Sequence, residues 1–230
     1  MRRFYTEVAV IPGEGGFEIR LDGRPVRTPA RALLALPNMV LAEAVAGEWR
    51  EQNEVIDPAS MPFTGLANAA IDHVAPNSAS FAADVARYGE SDLLCYRADG
   101  PQELVERQAA AWDPLLEWAR ARYDIVFRVT QGVLPVPQPQ ETLDRLAHVV
   151  AALDAFTLAG LSTVVALTGS LVAGLALLEG GHAPDAIWAA AEIDEVWQVE
   201  RWGEDAQASA RAARRARDFA TSCAFCAMAR

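Results

Sequence analysis

The sequence predicts an α+β protein, with a small β-rich N-terminal domain followed by a larger all-helical C-terminal domain. Three observations carry this expectation. Period-two alternation and tight-turn residues are concentrated before residue 30. From residue 38 onward, apolar positions recur mainly at helical three- and four-residue steps. The 230 residues are 52% hydrophobic, which supplies a core for folds of this size. We divide the chain into residues 1–90, β-rich with flanking helices, and residues 91–230, helical.

The elements follow in order. Phe17, Ile19 and Leu21 alternate with Glu18 and Arg20, as a strand with one wet face requires. Pro12 to Gly16 is a turn, and Leu21-Asp22-Gly23-Arg24 is a tight hairpin in which Asp22 and Gly23 serve the turn. Residues 38–53 read as a helix capped by Asn38, with Leu41, Val45 and Trp49 on one side. Further helices are expected at 62–74, 78–88 and 101–123, where Pro114 is expected to kink or split the last. Residues 124–134 return to strand-like spacing, and PVPQPQ (135–140) is a stiff connector. Helices at 141–157, 162–179, 184–202 and 205–227 complete the chain.

Composition excludes several classes. The net charge of −11 disfavours nucleic acid and anionic membrane as partners. Every basic side chain apart from the three histidines is arginine. The uncharged stretch 155–178 has the length of a membrane span. Its Thr, Ser, Gly and Ala content, the expected break at Gly160-Leu161-Ser162 and the stop at Gly180-Gly181 favour buried helices instead, with Gly169, Ser170, Ala173 and Gly174 allowing close packing. No apolar signal segment follows Met1, and Cys95, Cys223 and Cys226 form no disulfide framework, so a reducing cytoplasm is expected.

The search for chemistry gives little. Gly13, Gly15 and Gly16 lie between strands rather than ahead of a helix, so they are not a phosphate loop. His73, His148 and His182 lack metal-ligand spacing, and Ser170 lacks the strand–nucleophile–helix frame of a hydrolase. Cys223 and Cys226 have redox or metal potential, but nothing completes a site and packing is the simpler reading. No cofactor and no enzymatic activity are expected; a hydrolase using C-terminal acids is the weaker alternative.

The segment 187–202 is more informative. At about 100° per residue, Ile193, Val196, Trp197 and Val199 form one apolar face, with Glu200 near its middle and Glu192 at its edge. A carboxylate there is costly unless paired or kept for a partner. Glu200 therefore either reaches an internal arginine such as Arg120 or Arg122, or meets a protein. Glu48, Trp49 and Gln52 cluster on the first helix, and Gln108, Trp112 and Trp118 on the long one; such tryptophans are more often core than ligand box.

With these residues in view, the chain resembles the ATP synthase assembly chaperones that bind the alpha subunit of the catalytic head. The likeness rests on the ordered set Arg3-Phe4-Tyr5, LDGRPVRTP (21–29), LA-EAVAGEW-REQ (41–52), Met61-Pro62, AAIDHV (69–74), DLLCYRA (92–98), Gln108, WDPLLEW (112–118), SLVAGLAL (170–177) and EIDEVWQVERWGED (192–205). The resemblance implies a chaperone that shields the unassembled alpha subunit, with no stable membrane insertion and with self-association left open. It implies partner contact by Glu192, Glu195, Gln198, Glu200, Trp202 and Asp205 in the C-terminal domain, and a structural role for Trp49 and Trp112. Where relatives often carry a further acid past WGED, this chain has Ala206 and Gln207. A scaffold of the same fold with another partner is the alternative reading.

Overall fold

The computed structural model describes residues 1–132 and 134–230. The chain forms two compact units, one of residues 1–78, 154–160 and 224–230, the other of residues 79–153 and 161–223. A single cut near residue 90 differs from this arrangement. Residues 79–90 join the second unit, and two later helical segments return to the first, because the apolar faces that claim them lie far away in sequence.

In the first unit, strands β1 (Val8–Gly13) and β2 (Gly16–Leu21) form an antiparallel hairpin from Val8↔Leu21 to Gly13↔Gly16. Strand β3 (Arg24–Pro25) and strand β4 (Ala35–Leu36) both pair with β2. The alternation read from the sequence places Ile19 and Leu21 inside, while Glu18 and Arg20 pair with each other at 3.1 Å. Asp22 and Gly23 have φ of 47° and 77°, the left-handed pair that a two-residue hairpin demands. The Asp22 carboxylate also accepts from the Thr6 and Glu7 amides and the Thr6 hydroxyl, which ties the turn to the approach to β1. Gly16 has φ +121°, and a Cβ there would lie 2.2 Å from the Leu36 carbonyl oxygen. Gly16→Ala is therefore expected to cost about 3 kcal/mol of unfolding free energy, read by urea titration.

Helix α1 (Met39–Arg50) is capped by Asn38, whose side chain accepts from the Leu41 amide. It buries Leu41, Ala42, Val45 and Ala46 in one core with Ile19 and Leu36 of the sheet, Leu34 just before β4, Phe225 and Ala229. Helix α2 (Pro62–Ala69) starts at Met61 without a side-chain cap of its own. Glu48 of α1 supplies one: its carboxylate accepts from the Phe63 amide, the Thr64 amide and the Thr64 hydroxyl, each at 2.7 Å. Burial pushes the Glu48 carboxyl above its ordinary range despite these donors. Gln52 completes the join, donating to the Glu48 carbonyl and the Ser60 hydroxyl and accepting from the Asp57 amide. Tyr5 donates to the Trp49 carbonyl at 2.7 Å, and the two rings meet at 5.8 Å. A π-helical turn, Ala70–Val74, extends α2, and its Asp72 accepts from the Thr28 hydroxyl and the Ala30 amide.

The second unit begins with α3 (Ser78–Ala86), a 3-10 turn at Leu93–Cys95 and a short strand β5 (Tyr96–Arg97). Helix α4 (Gln102–Tyr123) runs unbroken through Pro114, so the segment is not split there. Buried Trp112, Leu115 and Ala119 anchor the turns on either side, and this packing outweighs one missing backbone donor. The expected strand at 124–134 shrinks to β6 (Thr130–Gln131), paired in parallel with β5, so the C-terminal half is nearly rather than wholly helical. Val133 of that stretch lies outside the described residues.

Helices α5 (Gln140–Ala151), α6 (Ala155–Thr168) and α7 (Leu171–Leu178) follow. The uncharged stretch breaks at Gly169, with φ +67°, not at Gly160 to Ser162. Ser170 then caps α7 through the Ala173 amide. A Cβ on Gly174 would approach Leu161 to 2.7 Å, so this glycine does let α6 and α7 close on each other. Among the described residues no helix is long and apolar enough to cross a membrane. The expected helix 184–202 divides at Glu192 into α8 (Pro184–Ala191) and α9 (Ile193–Trp202), and α10 (Ala206–Ala229) ends the chain.

Candidate partner-binding site

Helix α9 is held from beneath by α4. Trp112 is fully buried and donates its indole N–H to the Ala190 carbonyl at 2.7 Å. Gln108, also buried, accepts from the Ala98 amide and donates to Asp194 at 2.7 Å. Arg97 stacks over Trp112 and pairs with Asp113 at 2.7 Å. Polar side chains buried at this depth must be satisfied, and this network uses its donors and acceptors to fix where α8 ends and α9 begins.

The outer side of α9 is of another kind. Trp197 is buried, but Val196 and Val199 are 49% and 46% exposed, and Trp202 is 78% exposed. The apolar face predicted for this helix is therefore split: Trp197 faces inward, and the two valines are left for solvent. Between α9 and α10 runs a groove of about 540 Å³. Val196, Val199, Ala208 and Ala212 give it an apolar floor, and Glu195, Glu200, Glu204 and Asp205 rim it. Buried Glu192 and partly exposed Arg215, both in its lining, form a 3.0 Å ion pair. Burial pushes the Glu192 carboxyl above its usual range, and the adjacent Arg215 guanidinium opposes this. Arg215 also donates to the Leu167 carbonyl, so α10 is pinned against this unit's other helices.

The sequence-selected residues have separate roles. Glu195, Gln198, Glu200, Trp202 and Asp205 are all exposed, whereas Glu192 is an internal ion-pair member. Gln198 and Trp202 stand outside the groove lining. Asp205 caps α10, accepting from the Ala208 amide at 3.0 Å. Glu200 pairs with Arg107 at 2.7 Å, not with Arg120 or Arg122; Arg122 pairs with Glu179. The Glu200–Arg107 pair is half exposed, and it continues through Glu103 to Arg201. Arg107 and Arg201 flank the Trp197 ring at 4.9 and 4.4 Å, a cation–π arrangement that keeps this carboxylate-bearing edge ordered. The α10 side of the groove, with Ala208, Arg211 and Ala212, was missed by sequence reading. Its only trace there is a run of small residues between charges, too common to single out.

The remaining chemical candidates fall to packing. All three cysteines are buried, and none is in a disulfide. Burial pushes the Cys95 and Cys223 thiols up to about 12, the reverse of what a nucleophile needs. His182 packs edge-on to Trp118 at 5.9 Å. Among the described residues no cluster of His, Cys, Asp or Glu is arranged to hold a metal ion.

Comparison with known proteins matches this chain to one family. The profile described as ATP12 chaperone protein matches residues 2–120. The curated protein atp12, mitochondrial, of Schizosaccharomyces pombe is 26% identical over 219 residues, covering 89% of this chain and 75% of the relative. The crystal structure of Atp12 from Paracoccus denitrificans is 45% identical, covers 100% of this chain and 98% of its own, and superposes with a TM-score of 0.96. A point variant of the same Paracoccus protein gives the same values.

Proposed function

We infer, for a chain that belongs to the ATP12 chaperone family of ATP synthase assembly factors, that the groove between α9 and α10 holds the unassembled alpha subunit of the F-type catalytic head. One observation carries the reading: two half-exposed valines lie between these helices under a rim of carboxylates. Apolar side chains left open beside ordered charges suit a protein contact better than a small-molecule pocket. The complementary surface is an apolar helix face bordered by basic side chains. Such faces belong to subunit interfaces, which stay exposed until the proper neighbour arrives and invite aggregation meanwhile. Masking of this kind is reversible and requires no catalysis, and we assign none. We place the work in the cytoplasm, where the three thiols, none in a disulfide, remain reduced.

The test is co-purification with separately expressed alpha and beta subunits, followed by size-exclusion chromatography. The expected result is a discrete complex with alpha alone that dissolves when beta is added. No complex with folded alpha overturns the assignment of the partner. Glu200→Lys is expected to weaken capture of alpha about tenfold, since it reverses a rim charge and leaves Arg107 facing a like charge. Its melting temperature should move by less than about 3 °C, because the pair it breaks is exposed to solvent.

A further inference from the structure

A second groove, of about 610 Å³, lies in the first unit. Its floor is apolar, built chiefly from Leu21, Val26, Trp49, Ile56 and Met61, with Phe4 64% exposed at one lip. Hydrogen bonds make its walls rigid: Asp22 holds the β2–β3 turn, Asp72 holds Thr28, and Glu48 holds the start of α2. Arg24 and Arg27 stand on its edge, both exposed.

The charges at this edge are of one sign. The chain has 31 acidic residues against 20 basic ones, yet no Asp or Glu lines this groove. In the second unit Arg97, Arg107, Arg122, Arg145, Arg201 and Arg215 are all paired. Among the described residues, Arg24 and Arg27 form no ion pair. Asp22 feels the Arg24 charge but spends its oxygens on the Thr6 and Glu7 amides, and Arg27 donates to the Arg31 carbonyl at 2.9 Å. Two side chains of the lining also keep a buried polar atom without a protein partner, a donor at Trp49 Nε1 and an acceptor at Asn68 Oδ1.

We propose that this groove binds an extended segment of a protein partner in which apolar residues alternate with carboxylates. An extended chain turns successive side chains to opposite faces. Alternate apolar groups then meet the floor, while the carboxylates between them meet Arg24 and Arg27. The groove is thus the electrostatic counterpart of the acid-rimmed one between α9 and α10. Under the chaperone reading, on which its biological meaning rests, it gives the protein a second contact with the subunit it holds. Two weak contacts on one partner raise affinity through effective concentration and still allow release.

The probe is a fluorescein-labelled nonapeptide alternating leucine with glutamate, titrated with the full chain by fluorescence polarisation. Its controls are the same peptide with lysine for glutamate, and one with serine for leucine. Two variants test the site. Arg24→Glu with Arg27→Glu reverses the edge. Gly65→Trp fills the groove from α2, where an added Cβ meets nothing within 4 Å. The expected result is saturable binding of the Leu/Glu peptide at least tenfold tighter than either control, reduced tenfold or more by each variant with melting curves unchanged. Equal binding of all three peptides, or full binding by Gly65→Trp, overturns the proposal. Capture of intact alpha subunit, run alongside, separates the two readings. If wild type and both variants capture alpha equally, the groove is not a client contact and the chaperone reading stands. If wild type captures none, that reading fails, while the peptide titration still decides whether the groove binds.

Discussion

Asp92→Asn is expected to destabilise the protein by about 2 kcal/mol at pH 7, and by up to about 3 kcal/mol more as the pH falls toward 4. Asp92 is fully buried, and its two oxygens accept from the Leu94 and Val172 amides, at 3.1 and 3.0 Å. The Leu171 amide and the Ser170 hydroxyl also reach it, so one side chain joins the 3-10 turn before β5 to the start of α7. Asparagine keeps one acceptor and turns an N–H toward a donor. The pH dependence follows from the carboxyl's environment: burial, only partly offset by those hydrogen bonds, raises it from 3.8 to about 6. The folded state therefore retains this proton up to a pH near 6, whereas the unfolded chain releases it near 4. The stability from Asp92 protonation is fully present below the unfolded value and is lost as pH rises to 6. The difference between the folded and unfolded values corresponds to about 3 kcal/mol. Urea titrations of wild type and variant between pH 4 and pH 7 measure the difference. A gap that narrows toward acid means that the four donors hold the carboxylate ionised, and it refutes a carboxyl raised by burial.

Val199→Arg is expected to reduce capture of the alpha subunit at least ~30-fold, about 2 kcal/mol, the size of an interface hot spot. Val199 is 46% exposed on the groove floor, so a long side chain can lift its charge into water without disturbing Trp197 beneath. The isolated variant should keep its helical circular dichroism and its melting curve. A partner's apolar face, however, would have to desolvate a guanidinium. Val196→Arg, one turn earlier, serves as a replicate on the same floor. Biolayer interferometry against immobilised alpha subunit reads both, and undiminished binding by folded variants removes the groove from the client interface. The companion expectation is kinetic: rim substitutions such as Glu195→Lys change the association rate and its salt dependence, whereas floor substitutions change the dissociation rate.

Much of this architecture could be read directly from local sequence. The hairpin at Asp22-Gly23, the Asn38 cap, the stop at Gly180 and the sequence of helices rest on short-range rules of turn geometry, capping and periodicity, and the structure agrees. The departures arise where packing competes with local preference. Pro114 leaves α4 unbroken because buried neighbours hold both flanking turns. The uncharged stretch breaks at Gly169 because that is where a positive φ is needed before Ser170 can cap α7. Periodicity located the apolar face of α9, but it could not say which part of that face another helix would cover.

That division was decided by tertiary structure. The sequence alone determined the fold class, the absence of a recognisable catalytic motif, and a carboxylate-bearing amphipathic segment at 192–205 as the place to look. Only the folded chain separated Glu192, buried against Arg215, from Glu200, half exposed on Arg107, although both are glutamates near one apolar face. Only it turned Asp205 into a helix cap and Glu48 into the cap of the next helix along the chain. The physical reason is the same in each case. Periodicity and capping are set by neighbours within a turn or two, whereas the cost of a charge depends on what the rest of the chain brings against it.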